Sequence, residues 1–296
     1  MSAKPALAVL PLLAACATPV DAPNAAPKYT PASLAASCEG RDGWSDPAPP
    51  AHFPGNTWYV GTCGITALLV TSDAGHVLID SGPADAAASV AANIERLGFE
   101  LADVRWIVIS HEHFDHAGGL AALQRRTGAK IAALPAAAEV LESGQPDLAD
   151  PQFGMLEAMA PVRVDRVLRD GETLGIGPLR LTAHATPAHS PGSTSWSWQS
   201  CDGKTCLNMT YADSVSTPAA KGYRFTDHPE RITAVGGGLA AIAELPCQVL
   251  ITPHPSASGL FERLATGKLV SAHACRAYAA TAVQRFEGVL SDEAGG

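Results

Sequence analysis

Residues His111-Glu112-His113-Phe114-Asp115-His116 put three imidazoles and two carboxylates into six consecutive positions, directly after an apolar run. Burying that many polar groups is costly unless a partner satisfies them, and a cation is the partner that such donors share. Two later segments can each add one more imidazole. These are Thr186-Pro187-Ala188-His189-Ser190-Pro191-Gly192 and Ile251-Thr252-Pro253-His254-Pro255.

His111 and His113 are two apart and would face the same side of an extended loop, while Asp115 and His116 come later and can face a second point. We assign a first zinc to His111, His113 and His189, and a second zinc to Asp115, His116 and His254. Three protein ligands per ion leave a position open for water, which is the catalytic rather than the structural pattern. Two such ions about 3.5 to 4 Å apart can share one hydroxide, with Asp115 able to orient it as well as to ligate. The chemistry implied is metal-assisted hydrolysis. His52, His76, His184, His228 and His273 have no spaced partners and read as ordinary hydrogen-bonded histidines. His-Glu-x-x-His occurs nowhere, which excludes a zincin.

The elements that must position these ligands alternate between strand and helix. Short apolar runs at 57–60, 66–71 and 76–80 read as strands, 84–97 carries a helical stripe of Val90, Ile94 and Leu97 ended by Gly98, and 104–110 reads as a buried strand. The histidine-rich motif starts at the carboxyl end of that strand, where α/β folds place their ligands. A further helix is predicted over 118–126. In the second half, strands are predicted at 179–186, 193–199, 206–211 and 248–252, with a helix at 229–244 interrupted by Gly236-Gly237-Gly238 and a closing helix at 273–288. Two sheets packed face to face with helices outside accommodate this order, with the ligands in loops at one edge. Asp80 ends a buried strand close to the metal loop, either to orient a ligand histidine or as a simple turn residue.

With 296 residues, 47% of them hydrophobic and 17% charged, the chain has ample material for a core. A net charge of -9 without a Lys/Arg cluster argues against a nucleic-acid partner. Lys4, the short apolar stretch 6–15 and Leu13-Ala14-Ala15-Cys16 resemble a bacterial lipoprotein signal, in which Cys16 would be lipidated; an ordinary secretory signal cleaved slightly later is the other reading. The domain reading is therefore a signal at 1–15, a flexible tether at 16–36 and a catalytic domain at 37–296. Either signal exports the chain, to the periplasm and, with a lipid on Cys16, to anchorage in the outer membrane. Cysteine usage agrees, because setting Cys16 aside leaves six: Cys38, Cys63, Cys201, Cys206, Cys247 and Cys275. Cys201 and Cys206 flank the turn Asp202-Gly203-Lys204-Thr205 and are expected to form a disulfide. Proximity favours Cys38 with Cys63 and Cys247 with Cys275, although six cysteines allow 15 pairings.

The motif His-x-His-x-Asp-His resembles that of the metallo-β-lactamase superfamily. The segments Thr186 to Trp196, Tyr211-Ala212-Asp213-Ser214 and Thr252-Pro253-His254-Pro255-Ser256 are similar to the third subclass of class B β-lactamases, over most of the chain from about Asn56. The resemblance implies an α/β, four-layer αβ/βα sandwich of two mixed β-sheets flanked by helices, two zinc ions, and hydrolysis of small-molecule β-lactam antibiotics that confers resistance. It implies that Ser214, where other subclasses place a zinc-binding cysteine, and Ser216 hydrogen-bond the substrate carboxylate. Two positions depart from the family pattern: Glu112, where a small residue is common, and Ala188, where a glycine is common. The superfamily also contains lactonases, thioesterases and nucleases, in many of which an aspartate at the place of Asp213 bridges the metals. A non-catalytic binding lipoprotein is the reading from another class, and two complete open triads oppose it. An oxygen-reducing di-iron relative would carry a carboxylate at His113.

Overall fold

Alternating burial along short strands builds this molecule, and it does so twice. The structure, a computed structural model, describes residues 29–295. In chain order the elements are α1 (Pro31–Ser37), β1 (Ala51–His52), β2 (Thr57–Tyr59), β3 (Leu68–Val70), β4 (His76–Ile79), α2 (Ala87–Arg96), β5 (Val104–Val108), α3 (Phe114–Ala117), α4 (Leu120–Thr127), β6 (Lys130–Ala133) and α5 (Pro135–Ser143). They continue with β7 (Arg166–Val167), β8 (Thr173–Ile176), β9 (Leu179–Ala185), β10 (Thr194–Asp202), β11 (Thr205–Tyr211), α6 (Pro229–Ala243), β12 (Val249–Ile251), α7 (Leu260–Ala265) and α8 (Ala274–Gly295).

Strands β1 to β7 pair in sequence order to form one sheet, antiparallel up to β4 and parallel from β4 to β7. The second sheet has the order β12-β11-β10-β9-β8, antiparallel except for the parallel pair β11 and β12. Residues of β3 and β4 are buried on both faces, which only a sheet covered on both sides can do. Leu68, Val70, Val77 and Ile79 point into the space between the sheets, against Leu181, Trp196, Met209, Tyr211 and Ile251. Their neighbours Leu69 and Leu78 point the other way, onto Val90 and Ile94 of α2 and Leu120 and Leu123 of α4. A third cluster joins Leu250 to Val235, Leu239 and Ile242 of α6 and to Ala279, Ala282 and Phe286 of α8. The result is the expected α/β four-layer sandwich of two mixed sheets. Each fully buried Leu, Ile or Val contributes about 1.5 to 3 kcal/mol, and both the inter-sheet layer and the layer under α2 and α4 are rich in them.

Three expectations need correction or extension. Residues 31–37 are not tether but helix: Thr30 and Ser33 form a capping box, Pro31 stands in the first turn, and Leu34 is fully buried. A disulfide from Cys38 to Cys63 ties this helix to the domain, so the ordered domain starts before residue 37. The signal at 1–15, Cys16 and the first part of the tether, to residue 28, lie outside the described residues. Helix α6 runs unbroken through Gly236-Gly237-Gly238. Three glycines cost a helix roughly 1 kcal/mol each relative to alanine, yet Gly238 is where α6 lies on the turn before His189: a Cβ there would sit 2.8 Å from the Ala188 nitrogen. Close packing thus outweighs propensity. The run from Lys130 to Ile176 carries β6, α5, β7 and β8, and α7 follows β12, all unassigned from the sequence.

All three disulfides pair as proximity favours. Cys201 and Cys206 face each other in the β10–β11 register, and Cys247–Cys275 ties β12 to α8. Cross-linking across a separation of 28 residues restricts the unfolded chain, which on the chain-entropy account is worth roughly 3 to 4 kcal/mol. The double variant Cys247→Ala/Cys275→Ala is expected to lose about that much in equilibrium denaturant unfolding. A loss under about 1 kcal/mol would mean that α6 and α8 hold the second sheet without the link.

Candidate metal centre

The parallel strands β4 and β5 end side by side, and the chain leaves both ends under tight control. Asp80, next after β4, has φ 62°, a left-handed conformation that short polar residues tolerate better than bulky ones. Its carboxylate accepts hydrogen bonds from the Ser110 amide at 2.6 Å, the Ser110 hydroxyl at 2.7 Å and the Tyr211 hydroxyl at 2.7 Å. That fixes the start of the metal-binding loop. His113 then caps α3, and Asp115 and His116 lie within its single turn, so they project by helical rather than extended geometry. His189 sits in the turn between β9 and β10, and His254 directly follows β12.

These segments converge. His111, His113 and His189 present ligand atoms within 4.8 Å of one another, and so do His111, Asp115 and His116. His254 completes the second set, with its Nε2 3.2 Å from His116 Nε2 and 3.3 Å from Asp115 Oδ2. All six residues expected as metal ligands therefore meet at one place, with His111 between the two halves.

The outward nitrogens of three of the ligand histidines are hydrogen-bonded. His111 Nδ1 lies 2.8 Å from Asp213 Oδ1, His113 Nε2 2.8 Å from Asp150 Oδ2, and His189 Nδ1 donates to the Ser216 carbonyl at 2.7 Å. His116 Nδ1 is 3.4 Å from Asp80 Oδ2. Fixing one nitrogen outward leaves the other aimed inward as a lone pair, the arrangement that outer partners impose on metal-binding histidines. His111 Nε2 is the diagnostic atom, because it is buried without any hydrogen-bond partner. An orphaned buried acceptor in a ring of imidazoles and a carboxylate fits a divalent cation such as zinc.

Electrostatics agree with that donor set. Burial first, then repulsion from His116, His113 and His189, drives His111 well below the ordinary histidine range. Burial and His113 lower His189 to about 3. Both are neutral at physiological pH, the form that ligates. Burial opposes the charge on His116 too, but Asp115 and Asp80 more than offset it and raise His116 to about 10. Asp115 would be raised by burial, yet His116 and His254 hold it below the usual carboxylate range, so it stays ionised. A cation entering the second set thus displaces a proton from His116.

Of the other expected site residues, Ser214 is buried beside Asp213, and Ser216 is exposed next to His189. Asp213, weighed as a metal bridge, stands in neither ligand set and faces the outer nitrogen of His111. Asp80 is the orienting group rather than a mere turn residue. Glu112 is buried and spans to the His189 turn, and Ala188 is fully buried under α6. Sequence reasoning missed Asp150, Gln152, whose Nε2 is 3.4 Å from His189 Nε2, and Trp44, whose ring packs 6.1 Å from that of His254. No spacing rule reaches them, because Gln145, Asp147 and Glu157 in the same loop are polar too and nothing singles out 150 and 152.

Asp80→Asn should be tolerated by the backbone, since Asn also adopts positive φ, but its amide cannot accept three hydrogen bonds. Unfolding of the metal-free variant is expected to show a loss of about 1 to 3 kcal/mol, with lower metal content after dialysis. Unchanged values for both would remove Asp80 from the account.

Comparison with known proteins adds the lineage. The family model described as metallo-beta-lactamase superfamily matches residues 60–202. Among solved structures, the metallo-β-lactamase MIM-1 from Novosphingobium pentaromativorans is 60% identical, covering 89% of this chain and 98% of that one, with a TM-score of 0.87. MEM-A1, a subclass B3 metallo-β-lactamase isolated from a soil metagenome library, is 41% identical over 85% of this chain and 99% of its own, with a TM-score of 0.82. A curated probable metallo-hydrolase of Burkholderia pseudomallei is 33% identical over 144 residues, 44% of this chain and 46% of that protein. A hydroxyacylglutathione hydrolase of Anaeromyxobacter dehalogenans is 29% identical over 131 residues, 41% of its length. The chain spans less than half the length of the curated relatives it matches. Its similarity to the solved structures extends over nearly their whole length, and the chain belongs to the metallo-β-lactamase superfamily, in its subclass B3.

Proposed function

We propose that this protein hydrolyses the amide bond of β-lactam antibiotics with two zinc ions, one held by His111, His113 and His189 and the other by Asp115, His116 and His254. The observation that carries this is the convergence of those six ligand atoms, with His111 Nε2 orphaned at their centre, in a chain similar over 98 to 99% of their length to metallo-β-lactamases. Bound zinc supplies Lewis acidity, which acidifies water to near neutrality and polarises a carbonyl.

The protein's own share is placement. The neutral imidazoles of His111 and His189 are ready to ligate without losing a proton. Asp115, ionised and held by His116 and His254, orients the attacking water as well as ligating. Ser214 and Ser216 follow β11 at the same edge and hold the substrate carboxylate, which fixes the lactam carbonyl over the ligand cluster. The water oxygen would bond to the carbonyl carbon as the bond from that carbon to the ring nitrogen breaks, and a proton from the same water would pass to the nitrogen, giving a carboxylate and an amine. Export through the amino-terminal signal to the periplasm, with a lipid anchor at Cys16, belongs to the same reading. The three disulfides support it, as bonds that persist in oxidising compartments.

The second reading is a superfamily hydrolase of another substrate, a lactonase or thioesterase. The matches to hydroxyacylglutathione hydrolases favour it, but at about 30% identity they cover less than half of those proteins.

Metal analysis of the purified, active protein should find two zinc ions per chain, and chelation should abolish turnover of a penicillin, a cephalosporin and a carbapenem. One zinc or none in fully active protein would defeat the two-ion assignment.

A pair of variants separates the substrates. Replacing Ser214 and Ser216 together by alanine should raise KM about tenfold or more, since each hydrogen bond to a charged group is worth about 1.5 to 3 kcal/mol, with zinc content unchanged. Asp213→Ala should leave His111 Nδ1 only the longer contact with the Ser110 hydroxyl at 3.3 Å and weaken zinc binding without altering KM in proportion. An unchanged KM in the serine variant, with loss of both zincs from the aspartate variant, would favour the bridging-aspartate reading.

A further inference from the structure

Glu112 stands between His111 and His113 yet ligates nothing. In an extended segment its side chain must point away from both, and it is 3% exposed. Its two oxygens reach the turn that carries His189. Oε1 accepts from the Gly192 amide at 2.9 Å, and Oε2 accepts from the Ser190 hydroxyl at 3.0 Å. The approach is so close that a Cβ at Gly192 would lie 2.3 Å from Oε2. The same turn is held on its other flank by Arg231 of α6, which donates from Nη1 to the Pro187 carbonyl and from Nη2 to the Ala188 carbonyl, both at 2.9 Å. Gly238, about two turns further along the same face of α6, admits the helix to within contact of the same residues.

One buried carboxylate thus grips the residues after His189, and one buried guanidinium grips those before it. The carboxylate comes from the loop that supplies the other two ligands of the first zinc. We propose that Glu112 is a positioning residue: together with Arg231 it locks the His189 turn to the His111–His113 loop and so sets the zinc affinity of that site. This rests on the two-zinc reading above and adds to it a residue type at which this chain departs from its family pattern. Among the described contacts the Gly192 amide has no other side-chain acceptor, and Ser190 has besides Glu112 only the Ser193 hydroxyl.

The test is stepwise competition for zinc with a chromophoric chelator, on wild-type protein and on Glu112→Ala, Glu112→Gln and Arg231→Met. Outer partners of zinc ligands are typically worth about 10- to 100-fold in metal affinity. Glu112→Ala is expected to weaken one of the two sites at least tenfold and leave the other within about twofold. Glu112→Gln keeps one acceptor and should fall between, and Arg231→Met should weaken the same site. Activity of Glu112→Ala should be low at limiting zinc and return at excess zinc with KM unchanged. The proposal is overturned if both sites weaken equally while the metal-free protein melts lower, or if excess zinc restores nothing, since a merely structural role predicts both. It is also overturned if affinities are unchanged in every variant of a wild type that binds zinc and hydrolyses β-lactams. Should Glu112→Ala not fold, the Gln variant decides the question by the same measurements. A wild type that binds two zincs but hydrolyses no β-lactam would sink the functional reading and leave this one to be judged on the affinities.

Discussion

Everything at this site follows from the need to crowd neutral nitrogen lone pairs around one buried point. Ring centroids of His111 lie 4.6 Å from His113, 4.7 Å from His189 and 4.3 Å from His116. Imidazoles at that spacing cannot all be protonated in a low-dielectric setting, and unprotonated they present lone pairs to one another. A cation resolves the conflict, but only if each ring is prevented from turning its inner nitrogen toward another partner. Asp213, Asp150, the Ser216 carbonyl and Asp80 do this from outside.

Both sheets contribute ligands and outer partners to the site. Asp80 and the ligand loop leave the parallel strands β4 and β5 of the first sheet, whereas Asp213 and Ser216 follow β11 of the second, and His254 follows β12. His113 with Asp150 and His116 with Asp80 stay on segments of the first sheet and His189 with Ser216 on segments of the second, whereas His111 takes its outer partner Asp213 from across the sandwich. The inter-sheet core of Trp196, Tyr211 and Ile79 therefore sets metal geometry as well as stability: Tyr211 lies in that core and donates from its hydroxyl to Asp80, and Trp196 donates from its ring nitrogen to the Ile109 carbonyl, two residues before His111. Packing and chemistry share side chains here, so a core substitution at either aromatic displaces ligands.

What the sequence made legible was local. The six ligands could be read because residue type and short spacing carry the signal, and the two-sheet architecture because short apolar runs at β3, β4 and the end of β5 recur between helical stretches. The outer partners could not. Asp213 is 102 positions from His111 and Asp150 is 37 from His113, and only the folded chain brings them together. Residues 31–37 looked like tether because proline and alanine dominate them; the capping pair Thr30 and Ser33 and the apolar Leu34 were the overlooked cues. In α6 the triple glycine signalled a break on propensity grounds, and the energy of laying a helix backbone against the His189 turn prevailed. The alanine-rich run through β6 and α5 has no clear period, since small side chains fit strand and helix alike.

The ligand set alone does not choose a substrate, because the same six residue types can serve any carbonyl presented to bound metal. Choice comes from what surrounds them. On one side Trp44 packs 5.6 Å from Phe114 and lies against His254, anchored through its carbonyl to Thr62, which neighbours the Cys38–Cys63 link. On another, the segment from Gly144 to Met159 is tied to the centre through Asp150 and Gln152 while exposing Leu148, Phe153 and Met155. Apolar side chains left in water around a polar centre suit a ligand with an apolar body and an anionic group, which is the character of a β-lactam antibiotic. One rim thus meets the ligand set through the ring contact of Trp44 with His254 and the other through Asp150 on His113 and Gln152 on His189, so a change in either rim reaches the ligands directly.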